Sequence, residues 1–175
     1  RRLCVLSNKM GPMNKRLFLG LGLISLVSAC SSPRPHSANH PVGLSHPNHA
    51  DKRQDILMQA MAMLDRGYTY GGKRLHTGFD CSGLVSFVYQ ESAGIALKGS
   101  AAQMAASTQA IRPDEAHPGD LVFFNTLGSA FSHVGIYIGS GKFIHAANEK
   151  TGVKSERLSH TYWAKRFEGY RTVFA

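Results

Sequence analysis

Gly78-Phe79-Asp80-Cys81-Ser82-Gly83-Leu84-Val85 is the stretch on which the reading of this 175-residue chain turns. Asp80 stands where a helix cap is wanted. Leu84, Val85, Phe87 and Val88 then follow at helical spacing to about Ser92, with Gly94 beyond the end. A helix is therefore predicted to begin at Cys81. A thiol in that position feels the positive end of the helix dipole and unpaired backbone N–H groups, and both favour the nucleophilic thiolate. Free cysteine is also among the most buried residue types, so a small core position fits the stretch equally well. The rest of the chain has to separate the two.

Upstream, Ile56, Leu57, Ala60, Met61 and Leu64 recur at helical spacing, which predicts a helix from His49 to about Arg66 with Asn48 as N-cap and Gly67 beyond its end. Met58, Met61 and Met63 read as core filling. Tyr68-Thr69-Tyr70-Gly71-Gly72 reads as a turn and Lys73 to Asp80 as loop. Downstream, Ser100-Ala101-Ala102-Gln103 matches a capping box and opens a short helix to about Gln109. After Pro113 and Pro118-Gly119 the chain changes character. Strands are predicted at 121–124, 133–138, 142–147, 153–158 and 170–174, with Tyr162-Trp163 in a short helical or turn segment. Helices first and an antiparallel meander afterwards argue an α+β fold.

A nucleophilic cysteine needs a base within hydrogen-bond reach and a third group that holds the base. His133 opens one strand of the hairpin turning at Gly139-Ser140-Gly141, and His145 lies on the other. Pairing across that turn puts them close to opposite, or diagonal after a slip of one residue. Their even separation keeps them on one face either way. Two histidines on one face, turned toward a helix that begins with cysteine, would complete a Cys-His-His triad. Exposed strand histidines are the plainer alternative. His76, His117 and His160 read as surface or packing residues.

The formal charge of +9 is concentrated at the N-terminus. Five of the 20 basic residues, Arg1, Arg2, Lys9, Lys15 and Arg16, precede Cys30, which leaves 15 against 11 acidic residues in the remainder. That mild excess suits a polyanionic cell wall. No nucleic-acid signature or phosphate-binding glycine loop accompanies it, so no nucleic acid is expected as partner. Cys4, Cys30 and Cys81 are too few and too scattered for a disulfide framework or a zinc site.

Residues 13–29 read as a secretory signal, with Lys15 and Arg16 ahead of an apolar run from Leu17 to Val27. The run is short of the roughly 20 apolar residues of a transmembrane helix. Leu26-Val27-Ser28-Ala29-Cys30 resembles the bacterial lipobox, which makes Cys30 the expected lipidation site; an ordinary cleaved signal is the competing reading. Ser31 in place of Asp favours, by resemblance to Gram-negative lipoproteins, the outer membrane facing the periplasm. Residues 1–12 precede the plausible start Met13 and read as an upstream extension. Residues 30–48 are rich in Pro, Ser, Asn and His and read as a disordered tether. Its length would span on the order of 60–70 Å if extended. His36, His40, His46 and His49 are irregularly spaced and lack Cys or carboxylate partners, so no metal is expected there. The folded domain is assigned to 49–175.

Four blocks in order carry a resemblance. They are Asp80-Cys81-Ser82-Gly83, Pro118-Gly119-Asp120-Leu121-Val122-Phe123-Phe124, Ser132-His133-Val134-Gly135-Ile136-Tyr137-Ile138-Gly139 and Phe143-Ile144-His145-Ala146. Together they resemble the NlpC-type cysteine peptidases, papain-like enzymes that cut peptidoglycan stem peptides. The nearest likeness is to single-domain lipoprotein murein endopeptidases of Gram-negative bacteria. The resemblance implies Cys81 as nucleophile, His133 as base and His145 as the polar residue orienting it. Tyr68, Asp80 and Ser82 are implied as oxyanion or substrate contacts, beside the backbone N–H of Cys81. It further implies a monomer working without cofactor or metal, and a Cys81–His133 pair resting as thiolate and imidazolium. The implied cut is the D-alanyl–meso-diaminopimelate cross-link, with the D-glutamyl–meso-diaminopimelate bond as alternative. A catalytically idle envelope adaptor and a papain-like acyltransferase are the readings from other classes. Leu97-Lys98-Gly99-Ser100 departs from the Leu-Pro-Arg-Ser/Thr often found there, in a region that shapes the substrate cleft.

Overall fold

The structure is a computed structural model that describes residues 48–174, so the signal, the lipobox with Cys30 and the tether up to residue 47 lie outside the described residues. The order of elements is α1 (His49–Ala62), β1 (Lys73–Arg74), β2 (Gly78–Phe79), α2 (Cys81–Ala93), α3 (Ala101–Ala106), β3 (Gln109–Ile111), a 3₁₀ turn (Pro113–Glu115), β4 (Leu121–Phe124), β5 (His133–Gly139), β6 (Lys142–Asn148), β7 (Gly152–Arg157), α4 (Thr161–Ala164) and β8 (Phe167–Thr172). Helices precede an antiparallel sheet of strand order β3-β8-β4-β5-β6-β7, which is the α+β architecture expected.

Helix α2 starts at Cys81 because Asp80 caps it, accepting the Gly83 N–H at 2.6 Å, and it ends at Gly94 in the left-handed region. Gly83 has a second reason to lack a side chain. A Cβ there would come within 1.9 Å of the Gly72 carbonyl oxygen, so the 71–72 turn could not rest on the helix start.

The sheet is covered on both sides, and this explains four consecutive buried residues in β4. One face carries Leu121, Phe123, Val134, Ile136, Ile144 and Ala146 and packs on Ile56 and Ala60 of α1 and Leu84, Val85 and Val88 of α2. The other carries Val122, Phe124 and Phe143 and packs on Trp163 of α4 with Phe167 and Tyr170 beside it. Asp120 ties the helices to the sheet. Its Oδ1 accepts from Arg53 at 2.7 Å and its Oδ2 from the His117 N–H at 2.8 Å, while Tyr89 of α2 donates to the Gly119 carbonyl at 2.6 Å.

Several predicted boundaries move. Helix α1 stops at Ala62, because Asp65 N–H and Arg66 C=O turn outward to bond Val153 of β7 at 2.9 and 2.8 Å. With the helix ended, Met63 is buried while Met58 and Met61 are exposed, so only one of the three methionines fills the core. The segment 73–80 contains a small hairpin, β1 on β2, closed by a turn in which Thr77 N–H bonds Arg74 C=O. Helix α3 ends at Ala106, where Ser107 and Thr108 turn their hydroxyls back onto the Met104 carbonyl. The freed chain forms β3, a strand that propensity alone does not reveal. The last strand starts at Phe167, three residues early, with a bulge between Phe123 and Phe124 on its partner.

Candidate active site

Ile136 pairs with Ile144 and Tyr137 with Phe143, so the hairpin register sets His145 across from Gly135 and leaves the two histidines diagonal. The glycine makes room: a Cβ on Gly135 would lie 2.7 Å from the Phe143 ring and 3.4 Å from the His145 Cβ. His133 Nε2 and His145 Nδ1 are 2.8 Å apart and share one hydrogen bond. Among the described residues His133 Nδ1 has no hydrogen-bond partner, and it is the nitrogen left for a reacting partner.

Both histidines lie on the sheet face opposite the one that α2 covers, against Phe124, Phe143 and Trp163. The expectation that they face the cysteine helix is corrected here. Side-chain alternation along β5 turns Val134 and Ile136 to α2 and so sends His133 the other way. Cys81, the first residue of α2, still shares a cavity with His133, the first residue of β5. The Val134 backbone N–H is near enough to the thiol to act on its pKa. Cys81 and His133 line one cavity of about 490 Å³, together with Tyr68, Phe131, Tyr162 and Trp163.

Asp80 and Ser82 line the same cavity, but they are engaged with the fold. Ser82 donates to Asp80 Oδ1 at 3.0 Å and the Gly71 N–H donates to Asp80 Oδ2 at 3.0 Å. Tyr68 is half-buried beside Cys81, and its phenol is raised by burial and then by the thiol's charge. His76, His117 and His160 are exposed, and His160 caps α4 by accepting the Tyr162 N–H. Among the described residues no group of three or more His, Cys, Asp or Glu side chains is gathered for a metal ion.

The electrostatics differ from the expected thiolate–imidazolium pair. Burial pushes the Cys81 thiol up and the Asp80 carboxylate adds to this, against the lowering effect of the Val134, Ser82 and Cys81 N–H groups. Burial holds His133 well below the ordinary histidine range, opposed by Asp80. Burial depresses His145 too, helped by His133 and Lys154. Both shifts favour the uncharged forms, and at Cys81 desolvation outweighs the lowering by the N–H groups at the helix start.

Trp163 is the residue whose place in the site sequence reading missed. In sequence it reads only as part of a short helical or turn segment, because α4 follows the triad strands and its approach to them is a tertiary event. The indole stacks on His133 at 5.5 Å and 27° and stands perpendicular to His145 at 4.7 Å and 82°.

Comparison with known proteins agrees with this geometry. The profile of the NlpC/P60 family matches residues 65–172. The chain is 39% identical over 117 residues to a gamma-DL-glutamyl hydrolase of Bacillus subtilis, covering 66% of this chain and 28% of that one. It is 34% identical over 142 residues to the murein DD-endopeptidase MepH of Escherichia coli, covering 79% and 52%. Among solved structures, a lipoprotein-like NLP/P60 protein of Staphylococcus aureus superposes with a TM-score of 0.63 at 34% identity, over 75% of this chain and 45% of that one. The chain thus spans about a quarter to a half of the length of these proteins.

Proposed function

Because the chain belongs to the NlpC/P60 family, we propose that it is a thiol-dependent endopeptidase that cleaves the peptide stems of peptidoglycan. The observation that carries this is a half-buried cysteine at a helix start sharing one cavity with a histidine whose far nitrogen is held by a second histidine. The reaction starts from a neutral pair. With the substrate amide in the cavity, His133 Nδ1 takes the Cys81 proton as the sulfur attacks the carbonyl carbon, so charge develops only when the transition state needs it. The Cys81 N–H and Tyr68 are the groups placed to stabilise the oxyanion. His133 returns the proton to the leaving amine, and a water that it activates releases the acyl group from sulfur. His145 keeps the His133 ring turned with Nδ1 toward the thiol.

We take the bond to be the D-alanyl–meso-diaminopimelate cross-link. The likeness to a murein DD-endopeptidase over 142 residues supports it, as does our reading of residues 13–29 as a lipoprotein signal ahead of Cys30, which fits an outer-membrane anchor. The likeness to a gamma-DL-glutamyl hydrolase supports the second reading, the D-glutamyl–meso-diaminopimelate bond within one stem. Digestion of purified sacculi followed by mass analysis distinguishes them. Conversion of dimers to monomers supports the first, and shortened stems the second. Cys81→Ala is expected to release nothing; release equal to that of the unsubstituted chain would overturn Cys81 as nucleophile, and no release from either would leave an adaptor role.

A further inference from the structure

The segment between β4 and β5 does more than connect them. Thr126, Leu127, Ser129, Ala130, Phe131 and Ser132 all line the cavity that holds Cys81 and His133. Leu127 lines it while 80% exposed, so its apolar surface is available to a bound molecule. Phe131 has a φ of +52°, in the left-handed region, where a bulky side chain is an outlier. Such a conformation persists only where its surroundings over-determine it, and these outliers cluster at binding and catalytic sites.

Two surroundings fix Phe131. Its ring packs on the core between sheet and helices, edge-on to Phe123 at 5.8 Å and 89°, with the Arg171 guanidinium 5.7 Å from its centroid. Its N–H donates to Glu168 Oε2. Glu168 is released for this by the bulge. Phe123 pairs with Gly169 and Phe124 with Phe167, so Glu168 between them has no partner on β4. A bulge drops a residue out of the ladder and re-aims its side chain. The same segment holds the other end of the loop, where the Arg166 carbonyl accepts the Asn125 N–H at 2.8 Å. Between those ends the Ser132 hydroxyl accepts the Thr126 and Leu127 N–H groups at 2.9 and 3.1 Å. Glu168 does not itself line the cavity, so its effect on a bound molecule passes through the loop.

We propose that Glu168 is a positioning residue that pins the 125–132 loop through the Phe131 N–H, and that the pinned loop is a wall of the cleft against which the stem peptide binds. The inference rests on the reading of this cavity as the substrate cleft, but its first test needs no turnover. In the full chain, amide exchange followed by NMR is expected to find the Phe131 N–H protected in the unsubstituted protein and in Glu168→Gln, which keeps an acceptor oxygen. Glu168→Ala is expected to speed that exchange about tenfold, the loss of one hydrogen bond, while the amides of β5 keep their rates. Binding is read by calorimetry with soluble cross-linked muropeptides in the Cys81→Ala background, where no stem is cut. Adding Glu168→Ala is expected to raise Kd about fivefold, and adding Glu168→Gln to change it less than about twofold. In turnover of the same muropeptides Glu168→Ala is expected to raise KM about fivefold with kcat changed less than about threefold. Unaltered exchange at Phe131 in Glu168→Ala would refute the clamp. Faster exchange with unaltered Kd, or a loss confined to kcat, would refute the wall. Muropeptides that bind to the unsubstituted chain but are not cut would remove the proposed function and leave exchange and Kd to decide the wall. No binding at all would remove both.

Discussion

Asp120 and His145 are both fully buried polar residues beside the same sheet, and the fold treats them in opposite ways. Asp120 has both carboxylate oxygens matched, one by the Arg53 guanidinium and one by a backbone N–H, and Arg53 is tied in turn to Thr172. Among the described residues His145 has one nitrogen matched and the other without a hydrogen-bond partner. The first corner joins helix α1 to the sheet and has no free valence. The second leaves one buried nitrogen unmatched, and its hydrogen-bond partner His133 shares a cavity with the thiol. Stability and reactivity are thus separated by how completely each buried polar group is satisfied.

The sharpest way to break the comparison is to remove the reactive corner and ask whether the fold notices. His133→Ala is expected to lower the rate of stem cleavage by about 10²–10⁴-fold, the range for a general acid–base group. His145→Ala is expected to lose less, because it acts through His133; the reverse ranking would exchange their roles. Urea denaturation should leave both variants folded at neutral pH.

The reciprocal substitution is at the other corner. Asp120→Ala leaves Arg53 with an unpaired, largely buried guanidinium and frees the His117 N–H, so a loss of about 3–5 kcal/mol in stability is expected. Chemical denaturation reads it directly. A loss under about 1 kcal/mol would mean that the tie between helix and sheet lies elsewhere, for example in the Tyr89 bond to Gly119.

Acid separates the corners without mutation. Both histidines are held below their unfolded value by burial, so between that value and their folded ones the unfolded chain binds protons that the native chain does not. Stability is then complete above about pH 6.5 and falls as pH drops, by up to about 1.4 kcal/mol per unit for each histidine. The fall stops where the native pair itself takes up protons. His145→Gln removes one titrating group and is expected to halve the slope measured by denaturation at pH 5.5 and 6.5. An unchanged slope would place the acid sensitivity outside the pair.

How far each corner was legible in sequence follows from how local it is. The start of α2 at Cys81 is written in Asp80 and Gly83, three residues apart, and the hairpin that joins His133 to His145 is written in its glycine turn and alternation. The face that the histidines occupy was not legible. It depends on which side of the sheet α2 covers, and that is settled by contacts with Ile56, Val85 and Val88, all far from 133 in the chain. Arg53 meets Asp120 across 67 residues and Trp163 meets His145 from a later helix, and no periodicity announces either. The end of α1 failed for the same reason, since β7 captured Asp65 and Arg66. The direction in which burial moves the Cys81 thiol was not legible, because helix position is visible in sequence and burial is not.

The smallest expected effect tests whether the strength of the Asp120 corner comes from its bond length or from its surroundings. Arg112 and Asp114 form an ion pair of the same chemistry at 2.6 Å, marginally shorter than the 2.7 Å of Arg53 and Asp120. Their side chains are 70% and 67% exposed, however, against 18% and 0% in the buried pair. Water solvates either partner when the other is removed, and screening already weakens their attraction. Asp114→Asn is therefore expected to change stability by less than about 0.5 kcal/mol, and by less still at high salt. Denaturation at low and high ionic strength, run beside Asp120→Ala, makes the comparison. Were Asp114→Asn to approach the loss at Asp120, distance would be the governing quantity. With the expected gap between them, it is the absence of water around Asp120, and not the geometry of its ion pair, that makes this corner structural.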